Sequence, residues 1–320
     1  MTANTIPSAQ VGNTSLQVTR LGMGTAPIGN LYSDLDDEEA LETVRRSYEN
    51  GIRFFDTAPL YGAGEAERRL GEALRGIPRD NVVIQTKIGR ILRPDRSIYF
   101  DYSRDGVMKS IEASLERLGM DRVDIVLVHD PDFVNEEFHN QQALDEAFPA
   151  LVDLREQGVI GAVGAGMNQW EMEWEFAKKI DVNCFLLAGR YTLLEQTSLN
   201  FLDWCTENDV SIFLGGVYNS GILATGPVSG AKYDYEDAPE EILAKAGRLQ
   251  QITTGHGVPL HVAALHFAGA HPAIASLVIG SATSAEADDN RAIWDVEPPA
   301  AMWQELQDSG LIAASAPLPA

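Results

Sequence analysis

Two hydrophobic patterns alternate along the chain. Short, nearly continuous apolar runs are separated by longer stretches in which apolar positions recur every three or four residues. The first pattern suits strands buried on both faces, and the second suits amphipathic helices. The strand candidates are "RLGMGT", "FFDTA", "VVIQTKI", "DIVLVHD", "GAVGAG", "CFLLAGRY", "SIFLGG" and "ASLVIG". Between them "DEEALETVRRSYENG", "GEAERRLGEAL", "SRDGVMKSIEASLERLG", "ALDEAFPALVDLREQG", "WEMEWEFAKKI", "TSLNFLDWCTEN" and "EEILAKAGRLQQITTG" carry apolar stripes, with acids early or a glycine stop. The units repeat roughly every thirty residues with no Pro-, Gly- or Ser-rich linker, which predicts an α/β fold built as a (β/α)8 TIM barrel. An open doubly wound sheet is the alternative. The whole chain, 1–320, reads as one barrel domain, with "AQVGNTSLQVT" as an N-terminal β-hairpin and the ends, about 1–8 and 312–320, as mobile segments.

Charge narrows the partners. With 47 acids against 24 bases the formal net charge is −23, so a nucleic-acid backbone would be repelled and a small-molecule substrate is expected. No apolar run approaches the roughly 20 residues that span a bilayer, and "MTANTIPSAQ" lacks the pattern of a secretory signal, so residence in the cytoplasm is expected. Cys184 and Cys205 belong to no metal or redox spacing and read as packed thiols. His256, His261, His266 and His271 recur every five residues, a spacing that misaligns them on a helix, and no metal site is expected.

In such a barrel the chemistry sits at the C-terminal ends of the strands. Asp56 closes "RFFD", Tyr61 follows in the next loop, Lys87 lies near the end of "VVIQTK" and His129 closes "DIVLVH". Each alone has a structural explanation: a turn acid, a packed phenol, a solvated strand end, a core histidine. Together they bring an acid, a phenol, an amine and an imidazole to one rim. A charge at the end of a buried run needs a partner, so Lys87 is expected to find one in Asp56. An ammonium beside a phenol favours phenolate, so Tyr61 is expected to have a lowered pKa and to serve as an acid/base.

The motifs "LGMGT", "GIRFFDTAPLYGAGEAERRLGEAL", "VVIQTKIGR" and "DIVLVHDPD" resemble the aldo-keto reductase superfamily over roughly residues 10 to 295. By that resemblance Asp56, Tyr61, Lys87 and His129 are the catalytic tetrad, with Tyr61 as proton donor or acceptor and His129 orienting the reacting oxygen. The resemblance also implies a nicotinamide cofactor bound without a Rossmann unit, and no strand-GxGxxG-helix segment is present. It implies cofactor contacts from Gly24, Thr25, Asp56 and Asn168, and from Gly215, Gly216, Val217, Tyr218, Asn219, Gly221 and Leu223. The last segment adds Gly280, Ser281, Ala282, Thr283, Glu286, Asp289 and Asn290, with the helix opening near Ser284 turning its positive end to phosphate.

Family members that favour NADP usually carry basic residues where this chain has Ala282 and Glu286. A carboxylate there repels a 2′-phosphate, so NAD is the expected cofactor, with NADP the alternative. The stretches "AGMNQW", "LLAGRYTLLEQ" and "GGVYNSGIL" resemble the branch containing D-threo-aldose 1-dehydrogenase, L-fucose dehydrogenase and pyridoxal 4-dehydrogenase. That resemblance implies hydride transfer between the nicotinamide and the hemiacetal carbon of an aldose or pyridoxal-like substrate, giving a lactone. A broad aldehyde and ketone reductase and a nicotinamide-binding regulatory subunit remain as alternatives. A monomer or a small homo-oligomer is expected.

Overall fold

Each of the eight apolar runs becomes a strand, and in the computed structural model, which describes residues 5–30 and 34–319, those strands close on themselves. They are β1 (Leu21–Gly24), β2 (Phe54–Asp56), β3 (Val83–Ile88), β4 (Ile125–His129), β5 (Ala162–Met167), β6 (Cys184–Ala188), β7 (Ser211–Gly215) and β8 (Ile274–Gly280). Neighbours are parallel throughout, and β8 pairs with β1, Leu277 opposite Leu21 and Gly280 opposite Gly24. That last pairing closes the barrel and rules out the open sheet.

Strand side chains alternate between two environments. Phe54, Leu127, Leu186, Phe213 and Val278 fill the barrel's centre, with the Phe54 and Phe213 rings 4.7 Å apart. Their neighbours Phe55, Val126, Phe185, Leu214 and Leu277 turn outward and pack beneath the helices. The N-terminal hairpin forms as expected, Ser8–Gln10 pairing with Gln17–Thr19, and its Val11 and Val18 join the inner cluster.

Three differences from the sequence reading have physical causes. The helix expected over 143–158 begins earlier, at Glu136–Gln142, and passes through a π turn at Ala143–Ala147 into Phe148–Glu156. Pro149 has no N–H for the carbonyl four residues back and its ring crowds that turn, so the helix widens there. A helix at Leu260–Ala268 has no polar stripe, because Leu260, Val262, Ala263, Ala264, Leu265, Phe267 and Ala268 are all buried, and periodicity cannot reveal it. The C-terminal segment, expected to be a mobile tail from 312, is laid against the fold: Leu311, Ile312 and Ala316 are buried, and Ala313 N–H donates to Gln196 Oε1 at 2.9 Å. Residues 1–4 and 320 of the expected mobile ends lie outside the described residues.

Glu173, on the helix Trp170–Ala177 that follows β5, is fully buried, and neither carboxyl oxygen makes a hydrogen bond of good geometry among the described residues. Burial, reinforced by Asp130 and Asp132, pushes its pKa well above the usual carboxyl range, against a weak pull from the Met167 backbone. A carboxyl with a raised native pKa contributes stability while it stays protonated and loses it as pH rises above the unfolded value. Glu173→Gln should therefore raise the melting temperature at pH 8 and flatten its decline between pH 5 and 8. Thermal melts across that range check this, and parallel curves would refute it.

Candidate active site

Register and alternation bring the chemistry together. Asp56 ends β2, Lys87 stands one residue before the end of β3, and His129 ends β4. Asp56 lies opposite Gln85 and Lys87 opposite Leu127, so the period of two turns Asp56, Lys87 and His129 inward, above Phe54, Gln85 and Leu127.

The Lys87 ammonium is buried, and its three protons find three acceptors: Asp56 Oδ1 at 2.6 Å, the Thr57 carbonyl at 2.9 Å and the Tyr61 hydroxyl oxygen at 3.1 Å. Gln85 Nε2 donates to the same Asp56 oxygen at 2.7 Å. Burial works against the ammonium, but Asp56 and Tyr61 outweigh it and hold the Lys87 pKa above its ordinary value. Because Tyr61 accepts from Lys87, its own proton is free to donate elsewhere. The Tyr61 and His129 rings meet edge to face, with centroids 6.1 Å apart.

Tyr61 departs from expectation in one respect. Burial pushes its phenol up to about 12, and although Lys87 pulls the other way, Asp56 opposes that pull. The expected lowering does not occur because the cost of burying a phenolate exceeds the pull of the Lys87 ammonium, which Asp56 further offsets. His129 is also buried, and burial together with Arg90 and Lys87 holds its pKa well below the usual imidazole value, so the ring is neutral. Its Nδ1 has no partner among the described residues, whereas Nε2 lies 3.5 Å from Asp130 Oδ2. The single ring proton therefore belongs on Nε2, the nitrogen with an acceptor in front of it.

The loop holding Tyr61 depends on close backbone contact. Gly62 has φ +63° and lies so near Gly29 that a Cβ would stand 1.8 Å from the Gly29 carbonyl oxygen. Behind the loop, the helix Glu65–Ala73 is pinned by buried Glu67, which accepts from Thr86 Oγ1 at 2.7 Å and from Arg117 Nε at 2.6 Å.

A cavity of about 600 Å³ opens beside Tyr61 toward β6, β7 and β8. Of the residues expected at the cofactor, Gly24, Asp56, Asn168, Gly215, Gly216, Val217, Tyr218, Asn219, Gly221 and Gly280 line it. Gly216 and Gly221 take positive φ at 62° and 99°, leaving a bare backbone that can approach an anion. Asn219 serves the loop itself, its amide donating to the Gly189 carbonyl at 3.1 Å and its oxygen accepting from Thr192. Thr25 and Leu223 are buried away from the lining, and Ser281 is held by Asn290 Nδ2 at 3.0 Å. Ala282, Thr283, Glu286, Asp289 and Asn290 stand beyond the lining. Leu186, Ala188, Arg190, Val278, Lys232 and Tyr235 are among the further lining residues that sequence reasoning missed.

The Aldo/keto reductase family model matches residues 20–310. The chain belongs to that family. This aldo-keto reductase is 37% identical to pyridoxal 4-dehydrogenase from Microbacterium luteolum, over 95% of this chain and 97% of that protein. It is 36% identical to D-threo-aldose 1-dehydrogenase from a Pseudomonas species, over 97% of this chain and 99% of that one. Its fold matches the holo form of an aldo-keto reductase from Bacillus halodurans with a TM-score of 0.80 at 24% identity, covering 97% of this chain and 98% of the other. It is an oxidoreductase of a family that uses nicotinamide cofactors.

The far end of this reductase's cavity differs from the simple picture of an open helix end. The helix Ser284–Trp294 begins with Thr283, whose hydroxyl accepts from Glu286 N–H at 3.2 Å. Glu286 folds back and accepts from Ala282 N–H at 2.7 Å, while Glu39, from the helix Asp37–Glu49, accepts from Ser284 N–H at 2.7 Å. Two carboxylates thus already take the donors that a phosphate would want. The expected positive end at Ser284 is neutralised from within the fold. Among the described residues no group of three or more His, Cys, Asp or Glu could hold a metal, and no helix is long and apolar enough to cross a membrane.

Proposed function

We propose that this enzyme oxidises the hemiacetal carbon of an aldose or pyridoxal-like substrate with NAD, giving a lactone, with Tyr61, Lys87, Asp56 and His129 as its catalytic machinery. The observation that carries the mechanism is the chain Asp56–Lys87–Tyr61, linked at 2.6 and 3.1 Å, with neutral His129 facing the phenol. The cavity suits a dinucleotide: its volume, the bare glycine backbone at 216 and 221, and its approach to Tyr61 all fit a nicotinamide lying against the phenol. When bound, the cofactor supplies the hydride acceptor for oxidation and the donor for reduction.

The protein's own part is proton handling and orientation. The His129 Nε2–H donates to the reacting oxygen and fixes it beside the Tyr61 hydroxyl. In oxidation the substrate's hydroxyl proton passes to the Tyr61 oxygen as C–H is lost, and Lys87 steadies the phenolate that receives it. In reduction the neutral phenol donates the same proton. Asp56 keeps Lys87 charged and in place. The resemblance to pyridoxal 4-dehydrogenase and D-threo-aldose 1-dehydrogenase supports the substrate class.

Preference for NAD rests on Glu286 and Glu39, which bring two negative charges to the N–H groups that a 2′-phosphate would have to share. Replacing both by Gln removes that repulsion at about 0.3–1 kcal/mol per charge, or roughly 3- to 30-fold in relative NADP affinity for the pair. The test is purified protein screened for NAD and NADP reduction over aldoses, sugar acids and pyridoxal, with cofactor affinities measured by fluorescence for wild type and the Glu39→Gln/Glu286→Gln variant. Reduced nicotinamide from an aldose or pyridoxal, with NAD preferred, supports the reading. Efficient reduction of simple aldehydes with NADP and no hemiacetal oxidation would overturn it.

A further inference from the structure

The residue after His129 is held in an unusual state. Asp130 has φ +38°, a left-handed conformation that costs a side-chain-bearing residue of order 1 kcal/mol or more unless its surroundings enforce it. Here they do. Asp130 N–H donates to the Gly166 carbonyl at 3.1 Å, and the hydroxyl of fully buried Tyr102 caps the carbonyls of His129 and Asp130 at 2.7 and 3.1 Å. The side chain is held as firmly. Arg90, itself buried, donates from Nη2 to Asp130 Oδ2 at 2.7 Å, and its guanidinium stacks on the exposed Phe133 ring with 4.4 Å to the centroid.

This arrangement leaves a directed acceptor. Asp130 Oδ2 stands 3.5 Å from His129 Nε2, and Oδ1 accepts no hydrogen bond among the described residues although the side chain is only 22% exposed. Asp130 is not part of the lining of the cavity that suits the dinucleotide, whereas Tyr61 is. A substrate oxygen held by Tyr61 and His129 would therefore sit beside a carboxylate whose Oδ2 is 3.5 Å from the same imidazole nitrogen, close enough for a hydroxyl on the adjoining carbon to reach it.

We propose that Asp130, oriented by Arg90 and Tyr102, is a specificity-determining residue that accepts a hydrogen bond from the hydroxyl next to the reacting carbon, so that the enzyme selects 2-hydroxylated substrates. The inference rests on the assignment of Tyr61 and His129 to the reacting oxygen. A hydrogen bond to a charged acceptor contributes about 1.5–3 kcal/mol, or roughly 10- to 150-fold in kcat/KM. Burial pushes the Asp130 pKa up to about 6 and Arg90 pulls against it, so the carboxylate predominates above that pH, with Oδ2 held by Arg90 and Oδ1 left for the substrate.

The experiment deletes each partner in turn. Wild type, Asp130→Ala and Asp130→Asn are compared on an aldose and its 2-deoxy analogue in the oxidative direction, and on glyceraldehyde and propanal in the reductive direction. NADH binding, followed by fluorescence, reports folding of each variant. Wild type should favour the hydroxylated member of each pair by about 10- to 100-fold. Asp130→Ala should bring that preference to within about threefold, chiefly through a higher KM for the hydroxylated substrate, with the analogue little affected. Asp130→Asn, which tolerates the same backbone conformation, should fall between them. A preference that survives in Asp130→Ala, or an equal loss on both members of a pair, overturns the proposal. If aldoses are not oxidised by wild type, the aldose reading fails while the aldehyde pair still judges Asp130.

Discussion

Replacing Tyr61 with phenylalanine should lower turnover by about 10²–10⁴-fold, the usual contribution of a positioned acid/base, while cofactor affinity and melting temperature stay close to wild type. The ring keeps its place against His129, and only the hydroxyl that joins Lys87 to the reacting oxygen is lost. The wild-type pH profile is tied to the same atom. Because burial holds the phenol near 12, phenolate is a minor species at neutral pH, and its fraction rises about tenfold for each pH unit below that value. Oxidation, which needs the deprotonated oxygen, should therefore accelerate from pH 7 toward 10, whereas reduction, which needs the neutral phenol, should stay flat over that range. Steady-state rates in both directions, with fluorescence titration of NADH into Tyr61→Phe, check this. Unchanged turnover in the variant would remove Tyr61 from the mechanism.

The fold was legible because barrel strands buried on both faces leave short, continuous apolar runs, and eight of them recur at even spacing between amphipathic stretches. "DIVLVH" and "SIFLGG" announce themselves by continuous apolar character, and the tetrad is legible because its polar members interrupt such runs at their ends. Helix Leu260–Ala268 is the converse case: seven of its nine residues are buried and only His261 and His266 are partly exposed, too few to set a period to read. The segment from about 312 was read as loose from its composition, yet Ile312 and Ala316 find a place among core residues, a tertiary outcome that local composition does not encode.

The site was legible in membership but not in electrostatics. Sequence alone suggested that Lys87 would lower the Tyr61 pKa, but the depth at which the fold buries the phenol is a tertiary outcome, and that burial outweighs the pull of Lys87, with Asp56 adding to it. Similarly, Glu286 was read as a carboxylate that repels a 2′-phosphate, and the structure adds that its oxygen is engaged with Ala282 N–H and that a second acid, Glu39, comes from a helix more than two hundred residues away. Asp130 gave no periodic signal at all. Its left-handed backbone and its pairing with Arg90 arise only when the hairpin Arg90–Leu92/Ile98–Phe100 is folded over the rim.

Removing the ammonium should be the most damaging single change to stability near the site. In Lys87→Met, Asp56 is left with Gln85 as its remaining side-chain donor, at 2.7 Å, inside a region where both charges are only 1% and 4% exposed. Breaking a buried pair from one side costs about 3–5 kcal/mol, because the remaining charge must stay unpaired or take up a proton. Turnover should also fall by orders of magnitude, since Tyr61 loses the donor that steadies its phenolate. The double variant Asp56→Leu/Lys87→Met separates the two effects. Replacing both charges with apolar side chains removes the unpaired carboxylate, so most of the lost stability should return, while catalysis should not. Denaturant melts and kcat of the single and double variants read the two quantities independently. If stability and turnover recover together in the double variant, the buried pair serves the fold alone, and the proton step must be assigned elsewhere. If stability recovers while turnover stays low, the pair is retained for what its charge does to Tyr61, since an apolar pair would hold this part of the barrel equally well.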